Sequence, residues 1–112
     1  MTKNTFPKKI IIYQDATGKE PFTKWLKNLR DPSTRRRVLK RLFRVENGNY
    51  GDFKSVGEGV HELRLFFGAG YRIYFGEDGD TVVVLLCGGD KDSQRHDIQK
   101  AQNYWKEYKS HV

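Results

Sequence analysis

The sequence predicts one α+β domain over residues 1–112, in which a small antiparallel β-sheet is covered by two N-terminal helices and one C-terminal helix. Three patterns predict this class. Apolar residues recur with helical spacing before residue 46, polar and apolar residues alternate between residues 61 and 75, and helical spacing returns near the C-terminus. A length of 112 residues suits a single domain that folds without disulfide bonds.

The first half of the chain predicts one strand and two helices. Residues 10–13 are a β-branched run and predict the first strand. Pro21 suits the first turn of a helix, and Asp31 followed by Pro32 ends that helix and begins a second one over residues 32–46. The apolar face of the first helix consists of Phe22, Trp25, Leu26 and Leu29. The apolar face of the second helix consists of Val38, Leu39, Leu42 and Val45.

The second half predicts three strands linked by hairpins. Residues 61–67 and 71–75 alternate between apolar and polar side chains, as in strands with two different faces. Residues 81–87 are almost continuously apolar, which predicts a central strand covered on both faces. The Asp78-Gly79 pair favours a hairpin turn before it. We expect the first strand to pair with this sheet, because a lone short strand is unstable.

The last helix is predicted to begin at Asp92 or Ser93. Its apolar face consists of Ile98, Ala101, Trp105 and Tyr108. A domain this small needs its large aromatic side chains for its core, so we expect the helix to pack on its own sheet rather than to receive a partner.

Composition and charge narrow the class of protein. Twenty-one Lys and Arg against fourteen Asp and Glu give a net charge of +7, which favours acidic partners such as nucleic acid. The lone Cys87 lies in an apolar run, which indicates a buried thiol and fits a reducing cytoplasm. No apolar stretch approaches the ~20 residues of a membrane span, and the N-terminus lacks a signal-peptide core. No His or Cys spacing indicates a metal site, and no cofactor is implied.

The densest charge feature is a run of basic residues on the second helix, uninterrupted by any acid between Asp31 and Glu46. Its members are Arg35, Arg36, Arg37, Lys40, Arg41 and Arg44. Like charges one turn apart repel by a few tenths of a kcal/mol, so a solvated face usually mixes in acidic residues. The run therefore favours a surface for phosphates or an acidic partner over an ordinary solvated face.

A second group of cations lies on the sheet. Arg64 and Arg72 occupy the non-core phase of adjacent strands, so they can lie near each other across the hairpin. Tyr74 shares that phase, Lys54 lies upstream, and Lys91 follows the last strand. Such a face can bind phosphate through charge-assisted hydrogen bonds, although the same residues also fit a solvent-facing side of a half-exposed sheet.

Histidines are the usual acid–base groups near neutral pH. His61 and His111 fit ordinary surface positions. His96 stands in the first turn of the last helix, close in sequence to Lys91 and Arg95, so it is the candidate for proton transfer.

Three segments in the second half, taken together, resemble the RelE/ParE toxin superfamily, in its HigB-like branch of phage Gp49-like addiction-module killer proteins. They occupy residues 60–65, 70–75 and 85–91 and read VHELRL, GYRIYF and LLCGGDK. The two leading helices match as well, so the resemblance covers nearly the whole chain.

The resemblance implies a toxin of a type II toxin–antitoxin system that an antitoxin protein neutralises in a hetero-oligomer. Most such toxins cleave mRNA on the ribosome without a metal. The 2′-OH of the RNA attacks the neighbouring phosphate, which leaves a 2′,3′-cyclic phosphate and a 5′-OH end. The protein orients the nucleotide, moves a proton and stabilises charge on the phosphorane.

The resemblance also implies roles for individual residues of this chain. Arg72 matches the phosphate-stabilising arginine after Gly-Tyr, and Lys91 matches the basic residue on the leaving-group side. Arg64 stands where a neighbouring strand carries a lysine in the family, and since arginine stays protonated its implied role is electrostatic. The family often has a tyrosine further along, where this chain has His96 and Asp97, so His96 is predicted to move the proton. The basic helix and Arg95 would then contact RNA phosphates.

Two other functions remain open at this stage. Relatives on the same fold inhibit DNA gyrase without cleaving RNA, and fold alone does not decide between these activities. A non-toxic basic binding module of phage origin also fits the sequence.

Overall fold

The structure is a computed structural model that describes residues 7–111. In that range the chain forms a five-stranded sheet and three helices, which confirms the predicted α+β class. The strands are β1 (Lys9–Ile12), β2 (Phe53–Gly57), β3 (Val60–Leu65), β4 (Tyr71–Asp78) and β5 (Val82–Gly89). The helices are α1 (Pro21–Asn28), α2 (Pro32–Glu46) and α3 (Gln94–Ser110).

The strand order of the sheet is β1-β5-β4-β3-β2. The pairs β3–β4 and β4–β5 are antiparallel hairpins, as predicted, and β2 adds a further antiparallel hairpin with β3. The first strand joins the sheet as expected, but it lies parallel to β5, because the two helices that follow β1 carry the chain across to the far edge. β5 is covered on both faces, yet the central strand of the sheet is β4, not β5 as predicted.

The helix boundaries follow the local signals in the sequence. The Asp31 carboxylate accepts a hydrogen bond from the backbone N–H of Ser33 at 2.9 Å, and Pro32 occupies the first turn of α2. α2 covers the predicted residues 32–46. It ends before Gly48, whose φ of 84° reverses the chain in a conformation that glycine adopts without strain.

Two buried cores lie on the two faces of the sheet. Under α1 and α2 the sheet contributes apolar side chains alone to the core: Leu63, Leu65, Ile73, Phe75, Val83 and Leu85. On the other face α3 packs against its own sheet, as predicted, through Ala101 and Trp105. Gly76 permits this contact, because a Cβ there would lie 2.5 Å from the Trp105 ring.

The apolar face of α2 is narrower than its sequence predicts. Val38, Leu42 and Val45 are buried, but Leu39 is 51% exposed and Phe43 is 65% exposed. The helix presents one row of side chains to the sheet, so residues one position off that row point toward solvent. The prediction that Leu39 belongs to the core is therefore wrong.

Candidate functional site: a cationic corner of the sheet

Two basic residues, Arg72 and Lys91, lie against the same turn where β4 begins and β5 ends. Arg72 donates a hydrogen bond from a terminal guanidinium nitrogen to the carbonyl of Gly70 at 2.8 Å. The backbone N–H of Lys91 donates to the carbonyl of Ala69 at 3.3 Å. A Cβ on Gly70 would lie 3.4 Å from the Cβ of Lys91 and 3.5 Å from the Arg72 guanidinium. We call this region, formed by Arg64, Arg72 and Lys91, the cationic corner.

Arg64 joins the corner through the register of the sheet. It lies directly opposite Arg72 in the β3–β4 ladder, on the same face of the sheet as alternation predicted. Its guanidinium makes two hydrogen bonds to the Asp52 carboxylate, at 2.9 and 3.1 Å. Hydrogen bonding to Asp52 raises the pKa of Arg64 above its usual, already high value. The group therefore stays positively charged.

Arg72 is held in place by a buried carboxylate. The Arg72 Nε lies 3.6 Å from Oε2 of Glu62, whose side chain is fully buried, while the Arg72 side chain is 15% exposed. Glu62 Oε2 also accepts hydrogen bonds from the Tyr74 hydroxyl at 3.0 Å and the Gln94 amide at 2.9 Å. The network leaves Arg72 in a fixed position with part of its surface open to a ligand.

Tyr74 is not on an exposed surface, so its predicted contact with RNA is not possible in this structure. The side chain is fully buried, because α3 covers the face of the sheet that alternation alone left open to solvent. Burial and the neighbouring Glu62 charge raise the pKa of Tyr74 well above its usual value. Its role here is to donate a hydrogen bond within the fold.

An exposed aromatic ring borders the corner. Phe66 is 79% exposed, and the Arg64 guanidinium lies 5.6 Å from the centre of its ring. Aromatic rings beside cations stack on unpaired bases. Phe66 could not be identified from the sequence pattern, because alternation places it in the polar phase of a strand. Asp52, Glu62 and Gln94 could not be identified either, because their partners are distant in sequence.

The other polar residues that the sequence assigned to this site lie farther from the cationic corner. Lys54 is exposed on β2 and pairs in register with Glu62, so it extends the positive charge along the same face. Arg95 and His96 are exposed in the first turn of α3. His96 lies about 200° around the helix from Gln94, which faces Glu62, so the structure does not bring His96 toward Arg72. Its role in proton transfer stays a prediction.

His61 lies on the opposite face of the sheet. Its ring stacks on Phe75 with centroids 5.3 Å apart, and its Nε2 lies 3.7 Å from a carboxylate oxygen of Glu77. This histidine therefore belongs to the packing around the α1–α2 core rather than to the cationic corner.

Arg41 is turned into the fold rather than toward a partner. Its guanidinium donates to the carbonyls of Tyr50 at 3.0 Å, Asp52 at 2.7 Å and Arg64 at 2.8 Å. Burial lowers the pKa of Arg41 from its usual value. The prediction that this residue adds to an exposed basic surface is wrong, since its side chain instead joins α2 to β3 and to the segment just before β2.

The other cations of α2 divide into two sets. Arg35 donates to the carbonyl of Leu29, and the Arg37 guanidinium lies 4.0 Å from the centre of the Phe67 ring. Arg36, Lys40 and Arg44 are exposed and make no such side-chain contact within the described residues.

Within residues 7–111 no group of three or more His, Cys, Asp or Glu side chains is arranged to hold a metal ion. None of the three helices described has the length and apolar character needed to cross a bilayer. Cys87 is buried as predicted, and burial, with the Asp97 charge nearby, raises the pKa of its thiol to about 12.

The fold and this corner define a small basic α+β protein with a fixed pair of arginines at one end of its sheet. Residues 24–106 match the model of the family described as phage-derived protein Gp49-like. The chain belongs to this family, which is the addiction-module killer and RelE-like group, and this confirms the resemblance of its sequence motifs.

A relative is found in Haemophilus influenzae. It is an uncharacterized protein that is 42% identical to this chain over 81 residues. The match covers 72% of this chain and 82% of the relative.

Proposed function

We propose that this protein is the toxin of a type II toxin–antitoxin system and that it cleaves mRNA on the ribosome without a metal ion. Membership of the Gp49-like family supports the class. The observation that carries the proposal is the convergence of Arg72 and Lys91 at Gly70, with Arg64 directly opposite Arg72. An antitoxin protein holds the toxin inactive until it is released.

The reaction is an attack of the RNA 2′-OH on the adjacent phosphate. The pentacoordinate phosphorane carries more negative charge than the starting diester, so cations placed beforehand stabilise it more than the ground state. Arg72 is suited to this task because Glu62 and the Gly70 carbonyl fix its guanidinium. Arg64 is fixed in the same way by Asp52 and adds to the local positive charge.

Proton transfer needs a group that changes its protonation state, and arginine does not. The group that we propose for protonating the leaving 5′ oxygen is Lys91, which is exposed beside Gly70. His96 remains a candidate to accept the proton of the 2′-OH if the RNA reaches across the first turn of α3. A single-stranded message can contact Lys54 and Arg95 through its phosphates and Phe66 through a base.

Induced expression tests this proposal when growth is followed and mRNA 5′ ends are mapped in the same cells. We expect growth arrest and new 5′-OH ends inside reading frames that disappear when ribosomes are removed from the message. Arrest with intact mRNA would overturn the nuclease and direct attention to DNA gyrase, and no arrest would overturn the toxin.

The variant Arg72→Ala tests the site. We expect loss of cleavage by about 10²-fold or more, the scale of losing one transition-state stabiliser. Lys106→Ala is a matched control, because it removes one positive charge from the exposed outer side of α3. Equal cleavage by the Arg72→Ala variant and the control would refute the assignment of the cationic corner.

A further inference from the structure

The outer face of α2 carries an apolar row beside a cationic row. Leu39 and Phe43 lie one turn apart and are 51% and 65% exposed. Arg36, Lys40 and Arg44 follow the same four-residue spacing on the adjoining strip of the helix. We call these five residues the outer face of α2.

The apolar row is unusual for a solvated helix. Two of the four large apolar side chains that are exposed among the described residues belong to it, and Phe43 is the more exposed of the pair. A large apolar group at the surface gains free energy when a partner covers it. Neighbouring exposed apolar residues with polar surroundings are the usual mark of an interaction site.

The cationic row has no acidic counterpart in the part of the chain that the structure describes. The side chains of Arg36, Lys40 and Arg44 make no ion pair or hydrogen bond with any residue of 7–111. Their charges repel one another along the helix, and a partner with an acidic row would remove that repulsion.

We propose that the outer face of α2 binds an acidic amphipathic helix of a partner protein, a role that the proposed function would give to the antitoxin. Two parallel rows, one apolar and one charged, match a helix that carries Leu-type side chains beside Glu or Asp at the same spacing. RNA would use the three cations but gains nothing from Leu39, which is why a protein partner is favoured. Arg41 is turned inward, and Arg35 and Arg37 already have contacts, so the positive charge of this face is concentrated in one row.

Fluorescence anisotropy with three labelled probes tests the proposal on the purified full chain. The first probe is an 18-residue helical peptide with a Leu row beside a Glu row, the second replaces each Glu by Gln, and the third is a 12-nucleotide single-stranded RNA. We expect the acidic peptide to bind at least tenfold more tightly than the Gln peptide. Equal binding of the two peptides would overturn the proposal.

Two variants locate the binding on the protein. Leu39→Ala with Phe43→Ala should weaken the acidic peptide at least tenfold and leave RNA binding within twofold. Arg36, Lys40 and Arg44 changed together to Gln should also weaken the peptide at least tenfold. If the apolar variant changes RNA binding but not peptide binding, the face is a nucleic-acid surface and the proposal is wrong.

Matched controls separate this face from general charge and hydrophobicity. Changing Lys19, Lys27 and Lys106 to Gln removes the same charge from other exposed positions, and Ile12→Ala removes an exposed apolar side chain at the sheet edge. Both controls should bind the acidic peptide within twofold of the unaltered protein, and weakening equal to that of the α2 variants would overturn the proposal. The assay uses neither ribosomes nor growth, and Arg72→Ala should bind the peptide normally, so its outcome is independent of the nuclease proposal.

Discussion

The two faces of the sheet bury different kinds of side chain. Under α1 and α2 the sheet's buried side chains are apolar, as illustrated by Leu63, Ile73 and Phe75. Under α3 the same strands also bury the carboxylate of Glu62 and the hydroxyl of Tyr74, with Arg72 at the margin. The first face gains stability mainly from apolar burial, with Glu77 at its margin, whereas the second gives up some of that gain to bury a carboxylate and fix a guanidinium.

The contrast between the two faces assigns them different tasks: one face stabilises the fold, and the other positions charged groups for a ligand. An apolar core tolerates changes of shape only at a cost in packing, but it carries no chemistry. A buried ion pair adds little net stability, yet it fixes the direction of a guanidinium that a ligand can use. The predictions below test whether the two faces respond to substitution in these two different ways.

The largest effect is expected on the apolar face. Phe75→Ala should lower the free energy of unfolding by about 3–5 kcal/mol, because it removes a fully buried ring and leaves a cavity. Phe66→Ala is the matched control and should change that free energy by less than about 0.5 kcal/mol, since its ring is exposed. Urea denaturation measures both free energies. Similar losses would contradict the burial of the Phe75 ring and the exposure of the Phe66 ring.

On the α3 face, Glu62→Gln should lower the free energy of unfolding by about 2–3 kcal/mol, since it leaves the largely buried guanidinium of Arg72 without its counter-charge. The double variant Glu62→Gln with Arg72→Gln should recover more than half of that loss, because no unpaired charge remains. A denaturation cycle over the four proteins gives the coupling. Losses that simply add would show that the two groups do not interact.

A polar anchor at the edge of the apolar face should matter less than the core itself. Arg41→Gln should lower the free energy of unfolding by about 2 kcal/mol, because three backbone carbonyls lose a charged donor. Lys40→Gln, one residue earlier and exposed, should change it by less than about 0.5 kcal/mol. Thermal and urea denaturation of the two variants measure this difference. Equal losses of stability would show that the Arg41 side chain does not stabilise the fold.

The smallest effect, counted per pH unit, concerns the pH dependence of stability. The pKa of Cys87 is raised to about 12 in the fold from an ordinary value near 9, so the unfolded chain loses this proton first. The stability contributed by the neutral thiol is complete below pH 9 and is lost as pH rises toward 12, at up to about 1.4 kcal/mol per pH unit. Urea denaturation at pH 8, 9, 10 and 11 should show a shallower decline for Cys87→Ala. Parallel curves would place the thiol in solvent.

Local signals in the sequence determined the elements of this protein. Asp31 and Pro32 set the start of α2, helical spacing indicated most of its buried row, and alternation gave the two strands that carry Arg64 and Arg72 and the face that these residues share. These features depend on neighbours a few residues apart, which periodicity and turn chemistry record directly. For the cationic corner, the sequence predicted which basic residues lie on the non-core face of the sheet, but not what their side chains contact.

Only the tertiary structure decided what those residues touch. Arg41 and Lys40 are adjacent in a basic run, yet one is bound to three carbonyls and the other is exposed. Tyr74 was predicted on an open face and is buried because α3, from residue 94 onward, covers it. β1 is parallel to β5 for the same kind of reason, since its partner is about 70 residues away in the chain. Contacts between distant segments depend on the summed packing of all elements, and no short window of sequence records that sum.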